Sequence, residues 1–385
     1  MSLVYLLAGE QSGDTLGARL MAALRRSDPS IRFAGVGGTR MAEQGLASLF
    51  PMTDLAVMGL LEVLPRVLTL RRRLAETAAD IAARRPDVVV TIDSPGFTLR
   101  LLKAIRPLGI PRAHYVAPQV WAWHEERVRR FPGLWESLLC LLPFEPAYFA
   151  RHGLAADFVG HPVLESGADK GDAARFRARH GLAPEARVVV LMPGSRRGEV
   201  SRLLPVYGAT LGRLAGMLPG LVPVLPVAAT VAETVRAAVA SWPSAPLIVT
   251  DLAEKHDAYA AAAAALTKSG TSTLELALAG VPMAVTYRVN PLSGAIARWM
   301  ITIPHVAMVN LLAGRAVVPE LLQGECTPAR LAETLTALLT DPAAQAAQRA
   351  QFRTVMASLR PPNAMPSEAA AAAVRRLIGG AEPSR

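Results

Sequence analysis

The sequence predicts an α/β protein built as two doubly wound domains facing a cleft, and three observations predict it. Short apolar runs alternate with longer stretches whose apolar residues recur every three or four positions. That alternation begins near Leu3 and starts again near Arg187. A chain of 385 residues also exceeds what one compact core holds and fits two domains of ordinary size.

In the first half, strands are expected at Leu3–Ala8, Ile31–Val36, Asp87–Ile92, Arg112–Val116 and Ser137–Leu142. Helices are expected over Thr15–Arg26, Val67–Ala83 and Thr98–Ile105. Val88-Val89-Val90-Thr91-Ile92 is continuously apolar and β-branched rather than alternating, which marks a strand buried on both faces of a parallel sheet. A polar, glycine-containing stretch, 165–172, separates the halves. Strands resume at Arg187–Met192, Leu221–Val227, Leu247–Thr250, Ala263–Thr267 and Pro282–Thr286. The tail from about Pro342 reads as helical, interrupted by Pro361-Pro362 before Ser367–Ile378. The expected domains are therefore 1–165 with 345–385, and 166–344. Ligands of such sheets bind outside the strand C-termini, so a cleft between the two domains is the expected site.

Composition narrows the function. Hydrophobic residues make up 51% and aromatics 5%, the profile of a folded soluble protein. No run reaches the roughly 18 to 20 apolar residues that span a bilayer. Met1–Ala8 lacks a basic leader and reads as a first buried strand. Cys140 and Cys326 show no metal-ligand spacing, which fits a reducing cytoplasm and calls for neither metal nor cofactor. The net charge of +10 is either an arginine-rich solvated surface or a match to an anionic partner. No nucleic-acid module is present, which favours phosphate-bearing lipids over nucleic acid.

Five loops carry the candidate chemistry. Ser269-Gly270-Thr271-Ser272-Thr273-Leu274-Glu275 follows a strand and opens a helix, where free amides and hydroxyls suit a diphosphate and Glu275 suits a ribose. An ordinary Ser/Thr helix cap is the alternative. Pro193-Gly194-Ser195-Arg196 follows the strand before it in like fashion, with Arg196 able to clamp a phosphate. No Gly-Lys-Ser/Thr follows, so it is not a Walker loop. Gly9-Glu10-Gln11-Ser12-Gly13-Asp14 forms a Gly-bounded turn after the first strand; it lacks the dinucleotide spacing, and Asp14 as a helix cap is the alternative. Asp93, at the end of a buried strand, is a natural base for a hydroxyl, or else the cap of the next helix. His114, Gln119, Trp121 and Trp123 gather past another strand, where aromatics suit a sugar, an acyl channel or plain core packing. Separately, the apolar segment Val57–Pro65 with Arg66, Arg71, Arg72 and Arg73 suits docking on an anionic bilayer surface, or a buried helix with a basic end.

Taken together these loops resemble the lipid A disaccharide synthase family along nearly the whole chain. The resemblance is carried by Ala8–Asp14, Leu55–Gly59, Ile92–Pro95, Tyr115–Trp123, Leu142–Glu145, Pro193–Arg196, Ser269–Thr271 and Asn310-Leu311-Leu312-Ala313-Gly314-Arg315. It implies a GT-B fold whose C-terminal helices return to the N-terminal lobe, that lobe taking acceptor and lipid and the C-terminal lobe UDP-sugar. It implies transfer from UDP-2,3-diacylglucosamine to 2,3-diacylglucosamine 1-phosphate, with inversion and without metal, giving a β-1,6-linked disaccharide 1-phosphate and UDP. The resemblance matches Asp93, Arg196 and Asn310 to family motif positions; Asp93 and Arg196, with Glu10 and His114 as further candidates, are the expected catalytic set. Ser12, Gly13, Gln119, Trp121, Gly194, Ser195, Ser269, Gly270, Thr271, Ser272, Glu275, Asn310 and Arg315 are the expected substrate contacts. The family commonly has Asp where this chain has Gly96. The expected setting is cytoplasmic, on the inner face of the cytoplasmic membrane, and a homodimer is compatible with it. Another UDP-N-acetylglucosamine enzyme of the same fold, or a non-catalytic nucleotide-sugar binder, is the alternative.

Overall fold

A computed structural model describes residues 1–55, 67–122, 125–289 and 304–380. The apolar segment Val57–Pro65, Arg66 and Trp123 lie outside the described residues. The chain divides into two compact units, Met1–Pro162 with Leu359–Arg385, and Val163–Ser358.

The first unit holds six parallel strands in the order β2-β1-β3-β4-β5-β6. They are β1 (Leu3–Ala8), β2 (Arg32–Val36), β3 (Val88–Ile92), β4 (Arg112–Tyr115), β5 (Ser137–Cys140) and β6 (Ala156–Phe158). Helices α1 (Gln11–Ser27), α2 (Thr39–Glu43), α3 (Val67–Arg84), α4 (Pro95–Ile105) and α5 (Glu145–Ala150) connect them. Every residue of β3 is buried, as its unbroken β-branched run requires of a strand covered on both faces. Leu20, Leu24 and Ile92 pack in one apolar cluster, and Tyr5, Ile81 and Leu101 pack in another.

The second unit repeats the plan with different sequence, in the strand order β12-β11-β10-β7-β8-β9. Its strands are β7 (Arg187–Met192), β8 (Leu221–Pro226), β9 (Leu247–Val249), β10 (Ala262–Lys268), β11 (Met283–Tyr287) and β12 (Glu320–Leu322). Its helices are α6 (Ala173–Arg179), α7 (Arg197–Leu214), α8 (Ala232–Val239), α9 (Leu252–Ala261), α10 (Thr271–Leu278), α11 (Met308–Ala313), α12 (Pro328–Thr340) and α13 (Pro342–Ser358). Helix α13, which spans the expected boundary at 345, packs within this unit: Gln348 Oε1 accepts from Met283 N at 2.8 Å and its amide donates to Met283 O. The chain returns to the first unit at Leu359, where His161 N donates to Leu359 O. The last helix, α14 (Pro366–Ile378), then packs on α1.

Two strands, β6 and β12, escape the sequence reading because each is three residues long and, as Ala-Asp-Phe and Glu-Leu-Leu, carries a charged residue in place of an apolar run. Helix α1 starts at Gln11, earlier than expected, so Asp14 lies inside it rather than before it. Buried there, Asp14 accepts from Gly38 N (2.8 Å), Arg40 N (2.9 Å) and Met41 N (3.0 Å), and so caps α2 instead.

Candidate functional site

Each sheet reverses its strand order once. In the first unit that happens between β1 and β3, in the second between β7 and β10. A doubly wound sheet opens a crevice at this point, because the chains leaving two adjacent parallel strands depart to opposite sides. The loops leaving these four strands are Gly9–Glu10, Asp93–Ser94, Pro193–Arg196 and Ser269–Gly270. All four were singled out by sequence.

At the first switch point the backbone is strained. Asp93 (φ 51°) and Ser94 (φ 48°) both adopt the left-handed region, and so does Val116 (φ 79°) just past β4. Left-handed non-glycine residues, a β-branched one above all, cost free energy and cluster where function demands a particular chain direction. Asp93 is held in place through Asp93 N donating to Tyr115 O at 2.9 Å and Thr98 Oγ1 donating to Asp93 O at 2.8 Å. Burial pushes its carboxyl above the usual carboxylate range, partly opposed by a hydrogen bond from Ser94 N. Ser94 Oγ is buried without a hydrogen-bond partner among the described residues. A side chain on Gly9 would meet that oxygen at 2.6 Å, so only glycine lets the two loops pass this closely.

Beside them lies a cavity of about 280 Å³ between α3 and α4. Glu10, Ser94 and Gly96 line it, with Leu70, Leu74 and Phe97 as apolar wall and Arg71 and Arg100 as cations. Among the described residues nothing lies within 4 Å of where a side chain on Gly96 would begin.

The remaining candidates of this unit divide. Ser12 and Gln119 are exposed, whereas Gly13 is buried, with a virtual Cβ 3.3 Å from Ala8 and 3.5 Å from Ile92. Its role is close helix–sheet packing. Trp121 donates from Nε1 to Glu145 Oε1 at 3.1 Å and meets Phe144 edge-on. His114 does not suit a proton acceptor for substrate. It is fully buried, bonded through Nδ1 to Thr91 Oγ1 at 2.8 Å and stacked on Trp135, and desolvation lowers its pKa to about 3.

In the second unit, Gly194 (φ 108°) lets the Pro193–Arg196 turn fold against Glu199. Ser195 and Arg196 are exposed, and Arg196 occupies the N-cap of α7. Thr271 opens α10; Thr273 Oγ1 donates to Gly270 O at 2.7 Å and Ser269 Oγ to Val306 O at 2.8 Å. Ser272 Oγ pairs with Thr267 Oγ1 at 3.0 Å. Thus the hydroxyls of Ser269, Ser272 and Thr273 brace the turn itself, and the amides at the start of α10 are what it offers an anion. Glu275 lies one turn in, its Oε2 facing Lys255 Nζ at 2.9 Å and Tyr259 OH at 3.2 Å.

Asn310, expected to contact substrate, is instead consumed by the scaffold. It is fully buried, Oδ1 accepts from Val317 N and Val318 N, and Nδ2 donates to Val318 O and Glu320 Oε1. A buried amide with both ends satisfied has little left for a ligand. Glu320, missed in the sequence, accepts in addition from Val306 N and Ala307 N at the start of α11. Arg315 is exposed. Glu199 and Lys268 were also missed; they join at 3.0 Å between the two loops of this switch point. Lys268 is the last residue of a strand, where no motif marks it.

Two doubly wound units of six parallel strands each, joined in one chain, are the fold of the GT-B class. Solved structures of that class superpose: UDP-GlcNAc 2-epimerase from Neisseria meningitidis bound to UDP-GlcNAc (TM-score 0.63, 13% identity, 96% of this chain and 98% of that one). CalG4, the calicheamicin glycosyltransferase, is similar in fold with TM-score 0.60 at 16% identity, covering 98% of each chain. Sequence narrows the class, for the family model described as lipid-A-disaccharide synthetase matches residues 4–374, and the chain belongs to that family. Relatives named lipid-A-disaccharide synthase include that of Granulibacter bethesdensis, 62% identical over 98% of this chain and 99% of the relative. That of Gluconobacter oxydans is 61% identical over 98% and 91%. The chain is thus a glycosyltransferase of lipid A biosynthesis.

Proposed function

We propose that the second unit binds UDP-2,3-diacylglucosamine and the first binds 2,3-diacylglucosamine 1-phosphate, with Asp93 as base. The acceptor 6-hydroxyl attacks the anomeric carbon of the donor from the face opposite UDP. The new C–O bond forms as the bond to the diphosphate oxygen breaks; the hydroxyl proton passes to Asp93, and UDP leaves with the electron pair. Inversion follows from the single displacement, through an oxocarbenium-like state.

The observation that carries this reading is Asp93 itself. It follows the last residue of β3 at a switch point, in a strained backbone, with a carboxyl raised above its ordinary value by burial. A base nearer neutrality than a free carboxylate takes a hydroxyl proton more readily. Negative charge developing on UDP is met by the Arg196 cation and the amides opening α10. The cavity beside Ser94, apolar on one side and bearing Arg71 and Arg100, suits an acylated sugar phosphate. Purified protein given both acylated substrates should release UDP only when acceptor is present. Release independent of acceptor, or efficient turnover of unacylated UDP-N-acetylglucosamine, would instead support another UDP-sugar enzyme.

Membrane association is part of the same proposal. No helix among the described residues is long and apolar enough to cross a membrane, and the acylated substrates reside in one. The Val57–Pro65 segment with its basic margin is the proposed docking element, on the inner face of the cytoplasmic membrane. Anionic liposomes should capture the protein, and changing Leu60→Ser with Leu61→Ser should weaken capture; unchanged capture refutes the assignment.

A further inference from the structure

We infer that Lys268 is a second cation for the donor's diphosphate, and that Glu199 is the carboxylate that positions it. The inference rests on the nucleotide reading of the second unit and adds to it the group that faces the leaving diphosphate alongside Arg196.

Strands β7 and β10 are neighbours, with Thr267 in register with Met192. Lys268 is therefore the last residue before the Ser269–Gly270 turn, beside the start of the Pro193–Arg196 turn. Its ammonium lies 3.0 Å from Glu199 Oε1, in a pair whose side chains are 20% and 17% exposed. The same carboxylate oxygen lies 3.6 Å from Arg196 Nη1, and Glu199 Oε2 accepts from Arg196 N at 3.4 Å. One carboxylate thus holds two cations, one from each loop. On its other side the Lys268 ammonium stands 5.6 Å over the Tyr287 ring. It also lies 3.9 Å from where a side chain on Gly270 would begin. A long, flexible side chain is thereby pinned at the mouth of the anion-receiving turn.

The charge balance explains the arrangement. Two cations against one carboxylate leave a net single positive charge without a ligand. That surplus of positive charge attracts an anion. An arriving diphosphate supplies the charge that the Lys268–Glu199–Arg196 group lacks. Glu199, fixed against Gly194 and the first turn of α7, keeps both cations aimed while that happens. A plain structural ion pair explains the 3.0 Å contact but gives no reason for a lysine at this turn to share its partner with the Pro-Gly-Ser-Arg arginine.

The test is calorimetric binding of UDP, UMP and uridine to the wild-type protein and three variants. Lys268→Met should weaken UDP at least tenfold while uridine affinity stays within twofold, which also shows that the site is folded; Lys268→Arg should recover most of the loss. Glu199→Gln separates positioning from simple charge. Removing a negative charge would by itself tighten UDP, whereas loss of positioning weakens it, and weakening is the expected result. UDP affinity unchanged in Lys268→Met, or lost equally for uridine, overturns the role of Lys268. Tighter UDP binding by Glu199→Gln overturns the role of Glu199. A wild-type protein that binds none of the three overturns the nucleotide reading and this inference with it.

Discussion

Lys255 Nζ and Glu275 Oε2 stand 2.9 Å apart, both four-fifths buried, with Tyr259 OH donating to the same oxygen at 3.2 Å. One carboxylate oxygen is thus engaged by the protein from two sides. The pair fixes the rotamer of Glu275 at the helix that follows the Ser269 turn. Under the proposed nucleotide reading, a Glu275 carboxylate held in place in this way would receive the ribose.

Glu275→Gln should therefore weaken UDP binding about tenfold, the size of one hydrogen bond to a charged acceptor. Lys255→Met should produce a smaller loss, since it removes only the restraint. Calorimetry with UDP and with its 2′,3′-dideoxy analogue checks the point. The analogue should bind wild type and Glu275→Gln about equally, and a Glu275→Gln defect that persists with it would remove Glu275 from the ribose.

Asp93→Asn should lower kcat by about 10²–10⁴-fold, the usual contribution of a general base, and leave UDP affinity unchanged. The pH profile gives a second check. Because burial raises the Asp93 carboxyl above its ordinary 3.8, its active, ionised form is lost on acidification at a pH above that value. The acid limb of kcat/KM should therefore lie above the ordinary carboxylate range and vanish in Asp93→Asn, measured by acceptor-dependent UDP release.

Glu145 predicts a pH-dependent stability. Burial raises its pKa from 4.5 to about 7, despite hydrogen bonds from Trp121, Leu141 N and Leu142 N. A carboxyl raised on folding stabilises the fold most below its unfolded value, and that contribution is lost as pH climbs through the folded one. The unfolding free energy from denaturant titrations should accordingly fall between pH 4.5 and 7 by roughly 3 kcal/mol from this group. In Glu145→Gln that part of the slope should flatten. An unaltered slope would assign the titration elsewhere.

Asp14→Ala should destabilise the first unit by about 2–4 kcal/mol, because it strands the amides of Gly38, Arg40 and Met41. Asp14→Asn keeps an acceptor and should cost about half as much. Thermal unfolding measures both; equal Tm values for wild type and Asp14→Ala would refute the capping role.

Ten of the twelve described strands are legible in the sequence because a strand covered on both faces must be apolar throughout, as β3 is, whereas β6 and β12 carry no such run. Boundaries at helix starts were less legible. Asp14 reads as a cap for the helix that contains it, and only the approach of Gly38 and Met41 shows that it caps the next one. The same holds for the candidate site. Its loops were found because they follow strands, a local property. The use of each side chain within them was not, since His114 and a solvent-facing histidine look alike in sequence.

The two-fold α/β alternation, the four loops at the strand ends and the family to which the chain belongs follow from the order of the residues. These depend on apolar periodicity and local motifs, which are properties of neighbouring residues. Which polar groups serve the scaffold is settled only when the chain folds. Asn310 is satisfied on all sides by Val317, Val318 and Glu320, while Glu199 meets Arg196 three residues before it and Lys268 at the end of β10. Hydrogen bonds and ion pairs form only between groups that folding brings within about 3–4 Å, and that proximity is set by strand pairing rather than by any motif.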